Sequence, residues 1–277
     1  MNPAVHRLAD TASQIPFSTL LPASPLVLIT GGAGGLGREI ALQFMARGAR
    51  VHVCDIDAKR LAEFAEQHDA SQLRTSCADI GDARAAERLF EDVAAWGDPV
   101  SVLVNNVGIA GARAPVDELT DEAWLESLQA NFLGATRCVR HVASGMKQAR
   151  AGVIVNISTV SVRTLPPSRA PYIVSKAALE SLSMTLAREL GSFGVRANII
   201  RPGGMDNDRL RQVLARVAAE EGLDVDVLLA REMKHVWMRT LVSMHDVASM
   251  VLYLASDAAK HVTGQVIEVD GGVDWEG

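Results

Sequence analysis

Tyrosine is almost missing from this chain. Tyr172 and Tyr253 are the two in 277 residues, and aromatics together make up 4%. Such a chain builds an aliphatic core. Cysteine is as sparse: Cys54, Cys77 and Cys138 are odd in number, and none lies in a Cys-x-x-Cys pair. That excludes a disulfide framework and a structural zinc site. It predicts buried, reduced thiols in a cytoplasmic protein. The seven histidines show no His-Glu-x-x-His spacing, so no metal is expected. An excess of positive charge is also lacking. The net charge is -6, which gives no electrostatic reason to expect nucleic acid or an anionic membrane as partner. No apolar run reaches the ~18 residues of a membrane span. The first 25 residues carry His6, Arg7 and Asp10 and lack the apolar stretch of a secretory signal. Pro16, Pro22 and Pro25 break any helix there, so residues 1–25 read as an extension and 26–277 as the domain.

What is present is alternation. Short apolar runs, "LVLIT" (26–30), "VHVCD" (51–55), "LRTSCAD" (73–79), "VSVLVNN" (100–106), "GVIVNIS" (152–158), "RANIIRP" (196–202) and "GQVIEVDG" (264–271), are separated by segments of helical period. Continuously apolar strands of this length are buried on both faces. Strands alternating with helices imply right-handed βαβ units. The fold class is therefore α/β: a single Rossmann-type, doubly wound domain with a seven-stranded parallel sheet flanked by helices. Long helices are expected over about 121–149 and 172–193, and a substrate-loop excursion over about 203–244.

The first strand runs into "TGGAGGLG", which sets Gly31, Gly32, Gly34, Gly35 and Gly37 before a helix. Glycines allow a tight turn and close backbone approach to a pyrophosphate, and the helix N-terminus offers N–H groups. No P-loop lysine is present, which disfavours ATP or GTP. Asp55 ends the second strand. A carboxylate there accepts hydrogen bonds from the adenosine ribose and repels a 2′-phosphate, so NAD is expected over NADP. The plainer reading of Asp55 is a helix cap.

Tyr172 opens "YIVSK", one helical turn before Lys176. A phenol, with a pKa of about 10, is a poor base at neutral pH; a neighbouring ammonium stabilises the phenolate and makes proton exchange with an alcohol or ketone feasible. A lone Tyr-x-x-x-Lys is equally a Tyr packed on a Lys stem. Together with the glycine-rich turn it says more.

At this point the chain resembles the short-chain dehydrogenase/reductase family in its classical form, over about 25–275. "TGGAGGLG" resembles the cofactor motif, "NNVG" (105–108) the Asn-Asn-Ala-Gly motif, "YIVSK" the catalytic motif, "RPGG" (201–204) the Pro-Gly motif, and "VTGQVIEVDGG" (262–272) the family's ending. The resemblance implies a catalytic tetrad in which Tyr172 is general acid/base. Lys176 binds the nicotinamide ribose and lowers the Tyr pKa, and Asn131 kinks a long helix and holds a relay water. It implies cofactor contacts from Gly31, Gly34, Gly35, Leu36, Gly37, Asp55, Asp79, Ile80, Asn106, Tyr172, Lys176, Pro202, Gly203 and Met205. The family threonine beyond the Pro-Gly motif is Asn207 here. The family's substrate-orienting serine stands 13 residues before the tyrosine, which is Thr159; Ser158 is the other candidate. Neighbouring strand residues face opposite sides, so one of the two aims at the substrate. Spacing favours Thr159, and Ser161 reads as turn chemistry.

The expected partner is a small alcohol or ketone: a polyol, sugar acid, hydroxy acid or cyclic alcohol. Arg163 and Arg169 are candidate anion ligands or plain loop charges. Met233 and Trp237 are a candidate apolar lid. The family's habit implies a homotetramer or homodimer through the two long helices, with Ala177, Ala178, Leu182 and Leu186 suited to packing. The competing readings are a dinucleotide-binding regulator that lost turnover and, further off, a methyltransferase of similar fold.

Overall fold

The computed structural model describes residues 24–274, less some side chains between 208 and 232. Of the expected extension, only Ser24 and Pro25 fall within the described residues. Seven strands form one parallel sheet: β1 (Leu26–Thr30), β2 (Arg50–Asp55), β3 (Leu73–Cys77), β4 (Val102–Asn105), β5 (Gly152–Ile157), β6 (Val195–Pro202) and β7 (Val266–Val269). Their order is β3-β2-β1-β4-β5-β6-β7. The chain winds outward from β1 in one direction and then from β4 in the other. Between these two strands lies the switch point where a doubly wound sheet opens a crevice at its C-terminal edge.

Each strand feeds two cores by simple alternation. Val27 and Ile29 of β1 join one cluster, with Phe44 and Val251, while Leu26 and Leu28 join the other, with Cys138 and Met146. On β5, Val153, Val155 and Ile157 belong to the first cluster and Ile154 to the second. The first face is covered by α1 (Gly35–Met45) and α10 (Met244–Ala255), with α2 (Ala58–Ala65) beside them. The second is covered by α3 (Ala83–Ala94), α5 (Gly134–Ala149) and α7 (Ala170–Leu190). Phe44 is fully buried; shielding a side chain of that size contributes up to about 3 kcal/mol.

The excursion, read from the sequence as helical, holds α8 (Asp208–Glu221) and α9 (Val225–Met233). Three features depart from expectation. The helix expected over 121–149 is two helices, α4 (Asp121–Leu128) and α5, joined by a π-helical segment, Gln129–Leu133. The segment after β5, read as turn, contains a short helix, α6 (Ser161–Thr164). Cys54 and Cys138 are buried as expected, but Cys77 is exposed because it ends the edge strand β3.

Candidate active site

The glycine-rich turn is shaped by contacts a larger residue would break. Gly31 has φ +64°, and its N–H donates to the carbonyl of Cys54. A Cβ on Gly37 would stand 2.3 Å from the carbonyl oxygen of Gly31 and 2.7 Å from Nδ2 of Asn106. Asn106 holds that turn from β4's end: Nδ2 donates to the carbonyls of Thr30 and Gly31, and its N–H donates to Oγ1 of Thr30. Gly34, the N-cap of α1, provides no side chain to satisfy the first N–H groups of the helix. A helix start without a side-chain cap, reached by a close-packed glycine turn, fits a pyrophosphate. Leu36 points the other way, into the core under α1.

Asp55 is not the cap of α2; Asp57 is, accepting from the N–H of Arg60. The Asp55 carboxylate instead accepts from the N–H of Ala33 at 3.0 Å and of Asp57 at 3.1 Å. It is thereby fixed beside the turn, with acceptor capacity remaining on both oxygens. Arg60 was not anticipated. It pairs with Asp57 and reaches back to Gly34, where a Cβ would stand 3.1 Å from its guanidinium. Asp79 is exposed, its Oδ1 accepting from the N–H of Gly81, while Ile80 is buried against Gly134.

The other half of the crevice is assembled around Lys176, which is 2% exposed. Its Nζ donates to the carbonyls of Val107 at 3.0 Å and Ile157 at 2.8 Å, just past β4 and at the end of β5. Tyr172 lies one turn earlier on α7, in the helix's first turn. Asn131 sits in the π-helical segment, buried. Its Oδ1 accepts from the N–H of Ile109, and its Nδ2 donates to the carbonyl of Ile109 and to Oγ of Ser175. Ile109 carried no sequence signal beyond following "NNVG", and Ser175 none beyond lying within "YIVSK".

The two candidate hydroxyls part company. Asn156 turns toward α7, where its Nδ2 donates to Ser183, and Ser158, two residues on, faces the same way. Ser158 is buried, and its hydroxyl donates to Oε1 of Glu180 at 2.5 Å. Thr159 stays partly exposed; its Oγ1 accepts from the N–H of Ser161 and contacts the Ser161 hydroxyl, both at 3.2 Å. Ser161 thus opens α6 and steadies Thr159.

Beyond β6, Val160 N–H donates to the carbonyl of Pro202 and Gly203 N–H to that of Val269. Met205 pairs with Val242. Asn207 caps α8 through Leu210 N–H, a local role for the residue at the family's threonine position. Arg163 is engaged internally, with Glu268 at 3.0 Å, Asp270 at 3.1 Å and the carbonyl of Val273. Glu268 also pairs with Arg201, which pairs with Glu180. Arg169 lies over the Tyr172 ring, 4.8 Å from its centroid. Trp237 is 72% exposed and covers Gly272 near the C-terminus.

The sequence profile described as Enoyl-(Acyl carrier protein) reductase matches residues 31–274. The chain belongs to the short-chain dehydrogenase/reductase family. It is 31% identical over 249 residues to the 3-oxoacyl-(acyl carrier protein) reductase FabG of Staphylococcus aureus (strain Mu50), covering 89% of this chain and 96% of that protein. It is 30% identical over 260 residues to a 3beta-hydroxysteroid dehydrogenase of Mediterraneibacter gnavus, covering 89% and 94%. Among solved structures, L-sorbose reductase from Gluconobacter frateurii, complexed with NADPH and L-sorbose, superposes with a TM-score of 0.86 at 25% identity, covering 92% and 98%. Members of this family are oxidoreductases that bind a nicotinamide dinucleotide and act on small molecules. Among the described residues, no helix is long and apolar enough to cross a membrane.

Proposed function

We propose that this chain is an NAD(H)-dependent oxidoreductase that interconverts a secondary alcohol and a ketone, with Tyr172 as the general acid/base. The observation that carries the reading is the seat of Lys176. A buried lysine is held by the carbonyls of Val107 and Ile157, one helical turn from Tyr172. In alcohol oxidation Tyr172 takes the hydroxyl proton and passes it to the relay; in ketone reduction it gives its proton to the carbonyl oxygen and is reprotonated from the relay. Asn131, anchored to Ile109 and Ser175, supports a relay from Lys176 outward. Thr159 is the hydroxyl that orients the substrate oxygen, since Ser158 is engaged with Glu180. The nicotinamide, when bound, accepts or supplies the hydride.

Gly31, Gly34, Gly35 and Gly37 would hold the pyrophosphate, Asp55 the adenosine ribose, and Asp79, Ile80 and Asn106 the adenosine side. Tyr172, Lys176, Pro202, Gly203 and Met205 would hold the nicotinamide half. The fixed carboxylate of Asp55 supports NAD. A second reading, NADP, is favoured by Arg60 beside Gly34, a cation within reach of a ribose phosphate. The substrate class proposed is a polyol, sugar acid, hydroxy acid or cyclic alcohol. The assembly proposed is a homotetramer or homodimer through α4, α5 and α7. Support for it comes from exposed Leu125, Val174 and Met184, whereas Leu186 packs in the protein's own core.

The test is reduced-coenzyme formation from NAD and from NADP over a panel of these alcohols, with Tyr172→Phe as control. Turnover lost in Tyr172→Phe is expected. Tight coenzyme binding with no turnover of any alcohol or ketone would favour a non-catalytic binding protein.

A further inference from the structure

Position 169 is the N-cap of α7, with φ -130° and ψ 21°, and its side chain makes no capping hydrogen bond. Arginine is a poor choice there. Short hydroxyl, carboxylate and amide side chains cap helices, and a cation next to the positive end of the helix dipole is unfavourable. The preceding residue, Ser168, has φ +58°, in the left-handed region that favours glycine. The chain therefore enters this helix through an awkward turn and an uncapped start. What that entry achieves is visible three residues on: the Arg169 guanidinium carbon stands 4.8 Å from the centroid of the Tyr172 ring. That lies inside the range at which a cation is attracted to an aromatic face.

We infer that Arg169 is a positioning residue that acts through Tyr172, holding the ring by its face so that the hydroxyl keeps one direction. This rests on Tyr172 being the acid/base. A guanidinium stays charged throughout the working pH range, so its hold on the ring does not itself titrate. Tyr172 is in the first turn of α7, where the backbone at Ser168 and Arg169 sets the approach of the cation.

Other charges around the start of α7 are accounted for. On α7 itself they are Lys176 and Glu180, and at its far end Arg188 and Glu189. Glu180 is paired with Arg201 of β6, whose Arg196 donates to carbonyls of Ser256 and Val262. On α6, Arg163 is held by Glu268 and Asp270. On α4, Asp121, Glu122 and Glu126 are exposed, as is Arg113 in the loop after β4. Arg169 is thus the cation in contact with the ring.

Arg169→Gln is expected to lower kcat about tenfold while KM for substrate and coenzyme changes less than about twofold, and Arg169→Lys, which keeps a cation for the ring, to restore at least half of the loss. Arg169→Ser should raise the melting temperature by supplying a cap while lowering kcat as Arg169→Gln does. Unchanged kcat in Arg169→Gln overturns the inference, as does an effect confined to the KM of anionic substrates. Activity surviving Tyr172→Phe would instead overturn the acid/base assignment, and because that variant is measured separately the two failures are distinguishable.

Discussion

Ser158 and Glu180 are joined by a 2.5 Å hydrogen bond between the end of β5 and the middle of α7. Because Glu180 is also gripped by Arg201 at 2.6 Å, the Ser158 hydroxyl belongs to a buried ionic network, whereas Thr159 stays partly exposed. Thr159→Ala is expected to lower turnover by about 10²–10³ with coenzyme binding retained, and Thr159→Ser to keep most activity. Ser158→Ala should keep turnover within a few-fold while reducing stability by about 1–3 kcal/mol, through a buried carboxylate that has lost a donor. Steady-state kinetics with urea unfolding on the three variants checks this; a reversed pattern moves the substrate contact to Ser158.

Coenzyme choice should turn on Asp55. Asp55→Asn keeps an oxygen for the N–H of Ala33 but removes the charge that repels a 2′-phosphate. The ratio of kcat/KM for NADP to that for NAD is expected to rise about tenfold or more. If parent and variant show the same ratio, Arg60 and its surroundings set the preference.

Acid should weaken the sheet edge through His52. It is buried, its Nδ1 accepts from Trp96 Nε1, and its Nε2 meets Ser76 Oγ, which donates to Asp92. Burial pushes its pKa down from 6.5 to about 4. The folded state therefore favours the neutral ring. The stability this supplies is complete above pH 6.5 and is lost as pH falls from 6.5 to about 4. The loss across that window should be roughly 3 kcal/mol larger in the parent than in His52→Gln, by urea unfolding. Parallel pH profiles for the two proteins would mean that His52 carries no such linkage.

Thiol chemistry should single out Cys77. Burial pushes the Cys54 thiol well up and the Cys138 thiol to about 12, whereas Cys77 is exposed. One equivalent of an alkylating reagent is expected to react with the folded protein and three after denaturation. Labelling of Cys138 before unfolding would mean that the second core opens.

The seven strands and their parallel, doubly wound class were legible because continuous apolar runs between glycine and helix signals leave little choice of layer. Tyr172, Lys176 and the glycine turn were legible because they sit at fixed local spacings. Partners held across the fold were not. Nothing local in "SRAPY" says that Arg169 lies on Tyr172. Nothing local marks Glu180 either, yet it is 5% exposed and collects Ser158 and Arg201. The choice between Ser158 and Thr159 depended on which side of β5 each faces. Strand parity settles that only once Asn156 is known to turn toward α7.

The π-helical segment at 129–133 has a consequence for how this chain tolerates length changes. A π turn holds one residue more than an α turn, so α4 and α5 run out of phase across it. The buried stripe of α5, through Ala135, Cys138, Val142 and Met146, cannot be extrapolated back into α4, where Ser127 is the buried residue. Deleting one residue within 129–133 would let the two helices fuse into a regular rod. The rod would rotate everything upstream by about 100° and carry Asn131 away from Ile109 and Ser175. Asn131 is thus held by a counting irregularity, which makes this stretch sensitive to a single insertion or deletion where conservative substitutions would pass.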